Sequence, residues 1–366
     1  MCLFIQKLLL RGLMSVLLLW SAWCCAEPNS LRILNWNNYI APNVIADFES
    51  VTGVEVVYET FDQSETLEQK LLSADQAYDL VVPSADFLSR HIESDLLQKL
   101  DHSKLPNHSN LDRGILKSMQ HIDPGNQYGV PYLWGTTGIG FNQRRIRQVL
   151  GDSYEIDSWS VIFTPSIMSK LSECGVAFLD SPTEIYPIAL NYLGKPPGVY
   201  NLSDLKGAVN NMLQVVRPFI RYFHSSRYIE DLASGELCLV VGWSGDILQA
   251  AKMAESAEIK YVIPKEGAAL WVDLFAIPAN AEQVDNAHQF INYLLKPNVI
   301  ADITNYVTYA NANMAATPLV ASEVLANPVV YPTEKMKSRL YVVDPMPSAL
   351  LPRVNKLWRQ YKAAGY

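Results

Sequence analysis

The sequence predicts an α/β fold of two domains, and three observations support that prediction. Strand-like and helix-like segments alternate along the chain, which is typical of a mostly parallel sheet covered by helices. About 340 residues follow a predicted leader, and that length is usual for two domains. No low-complexity linker divides the chain. We therefore expect it to cross between the domains on strands.

The alternation is clearest in two parts of the chain. In the first part, strands are predicted at residues 31–35, 54–58 and 78–82, with helices at 42–51 and 65–73. Pro42 and Gly53 bound the first of these helices, since Pro favours a first helical turn and Gly the position after a helix. In the second part, strands are predicted at residues 175–179, 237–242, 260–264 and 270–277. The helices predicted there cover residues 185–193, 202–216, 284–295 and 299–304, and another starts near Ile247.

The first 26 residues are predicted to be a cleaved export signal. Lys7 and Arg11 supply positive charge, residues 12–20 form a short apolar run, and small residues precede Glu27. The run is short for a membrane anchor, because a spanning helix needs about 20 apolar residues. Lipid attachment to one of the two neighbouring cysteines is less favoured. We expect a periplasmic protein whose mature chain starts near Glu27.

Cysteine usage changes once the leader is removed. Of five cysteines, only Cys174 and Cys238 remain in the mature chain. Two cysteines in an exported protein indicate one disulfide bond, and each of these adjoins a strand-like segment. The alternative is that one of them is a reactive thiol that acts as a nucleophile.

The charge balance and the missing motifs exclude several classes of function. Removing Lys7 and Arg11 from a chain of formal net charge −8 leaves about −10. Nucleic-acid binding needs a basic face, so we expect none, whereas a cationic ligand is compatible. The chain has no P-loop, HExxH or GxSxG motif, and its six histidines lack metal-ligand spacing. We therefore predict no catalytic residue, no cofactor and no metal.

Polar and aromatic residues follow the ends of the predicted strands. Ligands of open α/β sheets bind beyond the carboxyl ends of the strands, so these residues are candidates for a site. They are Trp36, Asn37, Asn38, Tyr39, Ser84, Asp86, Glu184, Trp243 and Asp246. On the strand at 270–277, Trp271 and Asp273 share one face, because side chains alternate between the faces of a strand.

This set of side chains suits an organic cation. Carboxylates form strong, charge-assisted hydrogen bonds with ammonium groups. Trp and Tyr faces attract cations, at about 0.5–2 kcal/mol per contact, and also cover methylene groups. Carboxylates at both ends with aromatic rings between them would fit a diamine.

Each candidate also has a purely structural alternative. Glu184 could complete a capping box with Ser181, Ser84 could cap a helix, and Asp246 could complement a helix dipole. Asp86 could be a solvated acid at a helix start. Trp36 and Trp243 could be core residues, and Tyr39 could staple a helix. Asp273 is harder to explain structurally, because a lone carboxylate in an apolar strand is costly unless it is paired.

Five segments resemble the periplasmic putrescine- and spermidine-binding proteins of bacterial ABC transporters. They are residues 34–40 (LNWNNYI), 79–84 (DLVVPS), 136–140 (TTGIG), 222–226 (YFHSS) and 309–313 (YANAN). The likeness runs in matching order from about residue 31 to 332 and fades in the C-terminal stretch. A single motif of this kind would be weak, but five in order are specific.

The resemblance implies a two-lobed periplasmic-binding-protein fold of type II with a ligand cleft between the lobes. One lobe would comprise residues 27–132 plus 272–317, and the other 133–271 plus 318–366. The cleft would close on the ligand by a hinge motion. The resemblance also implies a polyamine ligand, docking on a transporter permease, a monomer, and a disulfide between Cys174 and Cys238.

The resemblance carries roles over to particular residues. Trp36, Tyr39 and Tyr309 would wall the site, Ser84 and Glu184 would bond an amine, and Trp243 and Asp246 would contribute from the second lobe. Asp273 would be the main ammonium partner, flanked by Trp271, and Ser225 lies in a matching motif. These ten residues, together with Asn37, Asn38 and Asp86, form a predicted site of thirteen.

Three positions depart from the putrescine-binding pattern and bear on ligand choice. Asn38 stands where those proteins carry an acid. Trp271 matches spermidine binders, whereas putrescine binders tend to have Phe. Asp86 is an acid that neither pattern predicts. We therefore expect spermidine to be slightly favoured over putrescine, with agmatine left open.

Two other classes of function remain alternatives on the same scaffold. Some thiamin-degrading enzymes resemble this fold and use a cysteine nucleophile, so a free thiol would favour them. A ligand-dependent partner of a membrane sensor is the second alternative. The sequence does not separate that role from transport.

Overall fold

The computed structural model describes residues 29–73, 77–198, 200–254 and 258–364. The predicted leader and its cleavage site lie outside these ranges. Within them, no helix combines the length and apolar character that a membrane crossing needs.

The described residues contain eleven strands that form one continuous sheet. They are β1 (Ser30–Trp36), β2 (Glu55–Phe61), β3 (Leu80–Val81), β4 (Gly129–Asn142), β5 (Val176–Phe178), β6 (Tyr222–Phe223), β7 (Leu239–Trp243), β8 (Ile259–Val262), β9 (Ala268–Ala276), β10 (Ala310–Asn311) and β11 (Leu340–Val342). The strand order is β2-β1-β3-β9-β4-β7-β5-β6, with β8 and β10 also paired to β4 and β11 to β9.

The sheet is mixed, and the prediction of a mostly parallel sheet is wrong for its middle. The outer pairs β1–β2, β1–β3, β5–β7 and β5–β6 are parallel, as strand–helix–strand connections require. In contrast, β4 is antiparallel to β7, β8, β9 and β10, and β9 is antiparallel to β3. Thus two long antiparallel strands join two parallel halves.

Helices cover the sheet and connect its strands. The described helices are α1 (Asn43–Thr52), α2 (Ser64–Ser73), α3 (Ala85–Glu93), α4 (Arg113–Ser118), α5 (Gln143–Leu150), α6 (Ser160–Phe163), α7 (Pro165–Leu171), α8 (Pro182–Tyr192), α9 (Leu202–Ala208), α10 (Gln214–Val216), α11 (Tyr228–Ser234), α12 (Ser244–Met253), α13 (Val284–Leu294), α14 (Pro297–Val307), α15 (Ser322–Leu325), α16 (Glu334–Lys337) and α17 (Leu351–Ala363). The predicted helix at 202–216 is instead α9, a π-helical segment at Val209–Leu213, and α10.

The strand β4 was not predicted, although it is the longest in the sheet. Its sequence, GVPYLWGTTGIGFN, contains four glycines and one proline, which are depleted in strands. Here glycine permits close contact with neighbours. A Cβ on Gly138 would lie 2.5 Å from the Tyr261 hydroxyl, and one on Gly140 would lie 2.4 Å from Ile247. A break in register between Pro131 and Trp134 accommodates the proline.

The strand β4 contributes to two separate hydrophobic cores. Its first half places Val130 and Leu133 in a core formed from residues 31–133 and 275–330. Its second half places Ile139 and Phe141 in a core formed from residues 139–259 and 346–361. We propose the two lobes on this basis, each lobe being built around one core. The chain would pass from the first lobe to the second for the last time after Val330 rather than after residue 317, since Val330 packs in the first core.

A disulfide bond joins Cys174 to Cys238, as the sequence predicts, with their Cα atoms 5.5 Å apart. It ties the chain just before β5 to the chain just before β7, across 64 residues. Closing a loop of that length restricts the unfolded chain and contributes about 4 kcal/mol in the chain-entropy account.

The double variant Cys174→Ala/Cys238→Ala should therefore lose about 4 kcal/mol of its free energy of unfolding, measured by urea denaturation of ligand-free protein. An unchanged free energy would show that the bond does not stabilise the fold.

Candidate functional site

One pocket brings the strand-end residues together. The pocket and its open mouth hold about 740 Å³. All thirteen predicted site residues line it: Trp36, Asn37, Asn38, Tyr39, Ser84, Asp86, Glu184, Ser225, Trp243, Asp246, Trp271, Asp273 and Tyr309. They come from segments that contribute to both of the hydrophobic cores described above. That they contact a ligand stays a prediction.

Eight further residues line the pocket and are not among the thirteen predicted. They are Phe61, Asp62, Gln63, Ser64, Ser181, Thr183, Ser226 and Ile229. Phe61 ends β2 and the next three residues directly follow it, so the strand-end rule would have found them. It was applied at the wrong place, because the strand was predicted to end at residue 58 and extends to Phe61. Asp62 accepts a hydrogen bond from the Ser226 hydroxyl at 3.3 Å, which joins the two sides of the pocket.

Asp273 is the most deeply placed carboxylate of the pocket. It lies on β9 with 4% of its surface exposed, and the Tyr39 hydroxyl donates to its Oδ2 at 2.7 Å. Burial raises the pKa of Asp273 well above its usual value, and the nearby charges of Asp86 and Glu184 raise it further. The Tyr39 hydrogen bond opposes this shift. Tyr39 thus supports Asp273 without neutralising it, and it does not act as a simple helix staple.

Asp246 is held by two tyrosine hydroxyl groups. It lies in the first turn of α12, where Tyr228 donates to Oδ2 and Tyr309 to Oδ1, each at 2.6 Å. Burial raises the pKa of Asp246 to about 6, although both hydroxyl groups favour the ionised form. Since Tyr309 follows α14, Asp246 connects the two halves of the molecule.

Glu184 faces the pocket rather than capping its helix. Its Oε2 accepts from the Thr137 hydroxyl at 2.7 Å, and its Oε1 accepts from the Trp243 indole at 3.2 Å. Ser181 makes no side-chain cap to α8, and its hydroxyl lies 3.0 Å from that of Thr183. The capping-box alternative is therefore wrong. Burial raises the pKa of Glu184 to about 7.

Asp86 and Ser84 form a second polar group in the pocket. Ser84 occupies the N-cap position of α3, but its hydroxyl donates to Asp86 Oδ1 at 2.6 Å instead of accepting from the helix backbone. Burial raises the pKa of Asp86, while Ser84 and Arg90 act against that shift. The half-buried Asp86 therefore belongs to the pocket wall, and the solvated-acid alternative does not describe it.

Aromatic rings form the remaining walls. Trp36 and Trp243 meet edge to face with ring centroids 5.7 Å apart, and Trp271 meets Tyr309 at 5.2 Å. Tyr39 also contacts Tyr309, at 5.4 Å. The three tryptophans are half-buried, and Trp36 and Trp243 also pack against a hydrophobic core, so these two serve both the core and the pocket wall.

Three polar residues, Asn37, Asn38 and Ser225, complete the pocket lining. Asn37 and Asn38 are exposed, and Asn38 turns the chain with φ 55°, a left-handed conformation that Asn tolerates. Ser225 is buried and accepts from the Asp180 backbone N–H at 3.2 Å. This bond ties the end of β5 to the chain after β6.

The pocket lining is acidic, and its nearest basic groups lie behind it: the His224 imidazole 3.9 Å from Asp62, and Arg90 near Asp86. Among the described residues that line it, five are acids and none is Lys, Arg or His. Nowhere in the described chain do three or more His, Cys, Asp or Glu residues form a group that could hold a metal ion. Buried carboxylates without positive partners are costly, so the site is suited to an organic cation.

Comparisons with known proteins agree with the resemblance. A sequence profile of the bacterial extracellular solute-binding proteins matches residues 43–328. The putrescine-binding periplasmic protein PotF of Escherichia coli is 48% identical over 322 residues, 87% of each chain. A putrescine/agmatine-binding protein of Pseudomonas aeruginosa is 41% identical, covering 93% of this chain and 94% of its own.

A solved structure has the same fold. The substrate-binding protein PotD of a spermidine/putrescine ABC transporter from Streptococcus pneumoniae superposes with a TM-score of 0.74 at 27% identity. The match covers 92% of this chain and 99% of PotD. The profile spans most of the sequence and the fold is shared along nearly its whole length, so the chain belongs to the bacterial extracellular solute-binding protein family.

Proposed function

We propose that this protein captures a polyamine outside the cytoplasm and delivers it to the permease of an ABC transporter. The observation that carries the proposal is a pocket with five acids, no basic residue among its described lining, and aromatic walls. An ammonium group finds carboxylate acceptors there, and a methylene chain finds rings. The names of the relatives, which include putrescine, agmatine and spermidine, support this class of ligand.

Capture would proceed by closure of the two proposed lobes. The open cleft is acidic and attracts a cation. Closure removes water from the methylene groups and strengthens the hydrogen bonds of Asp246 and Asp273 to the ammonium groups, because the local dielectric falls. No covalent step is required, and the closed form would then dock on the permease as a monomer. The mature protein would be periplasmic and would begin near Glu27. An intact-mass measurement of the exported protein tests that cleavage site.

Ligand choice rests on three positions in the pocket. Asn38 supplies no charge, Trp271 offers a larger wall than Phe, and Asp86 adds a carboxylate at the pocket end shared with Glu184. A triamine would use the added carboxylate, and a short diamine would not reach it as well. We therefore favour spermidine slightly over putrescine, although the most similar relatives reported above are named for putrescine.

A panel of diamines, spermidine and agmatine tests this preference on refolded, ligand-free protein. Thermal shift identifies the ligands, and calorimetry should then rank spermidine as the tightest. In the Asp86→Asn variant, spermidine should lose more affinity than putrescine, about tenfold against little change, because a charge-assisted hydrogen bond is lost. Equal or tighter putrescine binding by the unaltered protein would reject the spermidine preference but not polyamine binding. Binding of no amine would reject the proposed function.

Two alternative functions receive less support. A thiamin-degrading enzyme would need a free cysteine nucleophile, whereas the disulfide bond occupies the sulfur atoms of both Cys174 and Cys238. The relatives named above are binding proteins rather than enzymes. A signalling partner would have the same pocket. A pull-down with the ligand-bound protein, which should recover a permease rather than a sensor, separates the two roles.

A further inference from the structure

A continuous seam joins helix α12 to residues 305–309, at the end of α14. Tyr309 bonds Asp246, and the Thr308 hydroxyl lies 3.4 Å from the Gly245 carbonyl oxygen. The Gln249 amide lies 3.4 Å from the Val307 carbonyl oxygen. At the far end, the Lys252 ammonium donates to the carbonyl oxygens of Asn305 and Tyr306 at 3.2 and 3.1 Å. Gly245, Gln249 and Lys252 lie on one helical face, since residues three and four apart are neighbours.

Lys252 binds a site that favours a cation. The last carbonyl groups of a helix have no partner within the helix, and the helix dipole places negative charge there. Asn305 and Tyr306 lie in the last turn of α14, and Lys252 satisfies both of their carbonyl groups. Lys252 is not itself part of α14, so the contact holds two helices together rather than capping one.

The other end of the seam is closely fitted. A Cβ on Gly245 would lie 2.5 Å from the Tyr309 ring, so only glycine permits this approach. Thr308 is a β-branched residue in the left-handed conformation, with φ 59°, and is buried. That conformation is unfavourable for Thr, and such strain persists where surrounding contacts hold it. These contacts aim Tyr309 at Asp246.

The seam connects the two hydrophobic cores at the mouth of the pocket. Ile247 and Ala250 of α12 pack in one core, and Ile303 and Val307 of α14 pack in the other. Lys252 and Tyr306 line a second, open cavity together with Asn37 and Asn38, which also line the ligand pocket. The Lys252 contact therefore lies beside the opening, where separation of the lobes would break it.

We propose that Lys252 is a positioning residue that holds the closed form, by bonding the end of α14 when the lobes meet and thereby keeping Asp246 and Tyr309 against the ligand. The proposal rests on the proposed function and on the two-lobe division. Because the contact joins elements that pack in different cores, separation of the lobes would break it, so it adds its free energy to closure and thereby to ligand affinity.

The Lys252→Met variant tests the proposal, because charge and closure predict opposite effects. Removing a cation near a site for cations would by charge alone tighten binding. Loss of the closed-state contact should instead weaken polyamine binding about fivefold, with faster dissociation, which is the effect of about one net hydrogen bond. Lys252→Arg should retain most of the affinity. Lys337→Met, which removes a lysine paired locally with Glu334, is the matched control and should bind as the unaltered protein does.

A measurement without ligand separates failure of this proposal from failure of the proposed function. Dyes on Val51→Cys and Leu193→Cys, exposed positions in the two proposed lobes, report closure by single-molecule energy transfer. The closed fraction of ligand-free protein should fall about fivefold in Lys252→Met. Unchanged or tighter binding, or weaker binding with an unchanged closed fraction, would overturn the proposal. If the unaltered protein binds no polyamine, the proposed function fails, and the closed fraction alone decides the role of Lys252.

Discussion

Replacing Asp273 with asparagine should weaken polyamine binding more than about tenfold while the fold survives. Asp273 is the carboxylate on β9 that is buried among aromatic residues, and its only described hydrogen-bond donor among side chains is Tyr39. An ammonium group would be its missing charge partner. The amide keeps the size of the side chain but replaces a charge-assisted hydrogen bond with a neutral one, which is about half as strong.

The Asp273→Asn variant should fold at least as well as the unaltered protein when no ligand is present. Burial already raises the pKa of Asp273, which means that the folded state carries the cost of an ionised group. The amide removes that cost, and the Tyr39 hydroxyl can still donate to its oxygen. Urea denaturation of ligand-free protein measures this free energy of unfolding.

An exposed acid provides the control for this substitution. Asp302 lies on α14 with its side chain exposed, so Asp302→Asn makes the same chemical change away from the pocket. Calorimetry should show unchanged affinity for that control. If Asp273→Asn also binds with unchanged affinity, Asp273 is not a ligand contact.

Lowering the pH from 8 to 5 should weaken polyamine binding by up to about a thousandfold, about a hundredfold through Glu184 and about tenfold through Asp246. Burial raises the pKa of Glu184 to about 7 and that of Asp246 to about 6 in the free protein. A bound cation favours the ionised carboxylates and lowers both pKa values, so the complex holds fewer protons than the free protein. The contribution of these two carboxylates to affinity is therefore complete above their free pKa values and is lost as pH falls through them. Alkyl amines stay protonated throughout this range.

Proton release gives an independent measurement of the same linkage. At pH 7, calorimetry in buffers of different ionisation heat should show protons leaving the protein when the ligand binds. Glu184→Gln should reduce that release, because the group with a pKa of about 7 is removed. Binding without proton exchange, and with constant affinity between pH 5 and 8, would show that these carboxyl groups are not coupled to the ligand.

The fold could be predicted where local patterns agree with the tertiary structure. The first three strands and the helices between them were predicted to within a few residues, since apolar runs alternate there with Pro and Gly at the helix boundaries. The strand β4 could not be predicted, because its glycines and proline are unfavourable in isolation and fit only against particular neighbours. The mixed sheet follows from that strand, so the parallel prediction failed with it.

The site could be predicted largely from positions after strand ends. That rule located Trp36, Ser84, Glu184 and Asp246, all of which line the pocket. It missed Asp62 because the end of β2 was placed three residues early. The partners of each carboxylate were beyond prediction: Tyr309 lies 63 residues from Asp246, and Tyr39 lies 234 residues from Asp273. Only the folded chain brings such groups together.

Because β4 contributes to both hydrophobic cores, the order in which the chain is synthesised affects when each core can form. One core needs residues up to about 330, and the other needs Val354, Trp358 and Tyr361 from the last helix. The first core can be completed only after residue 330 has left the ribosome, and the second only after residue 361 has. The polypeptide would thus remain loosely structured until synthesis is nearly finished, and an unfolded chain is the form that can thread through a narrow secretion channel.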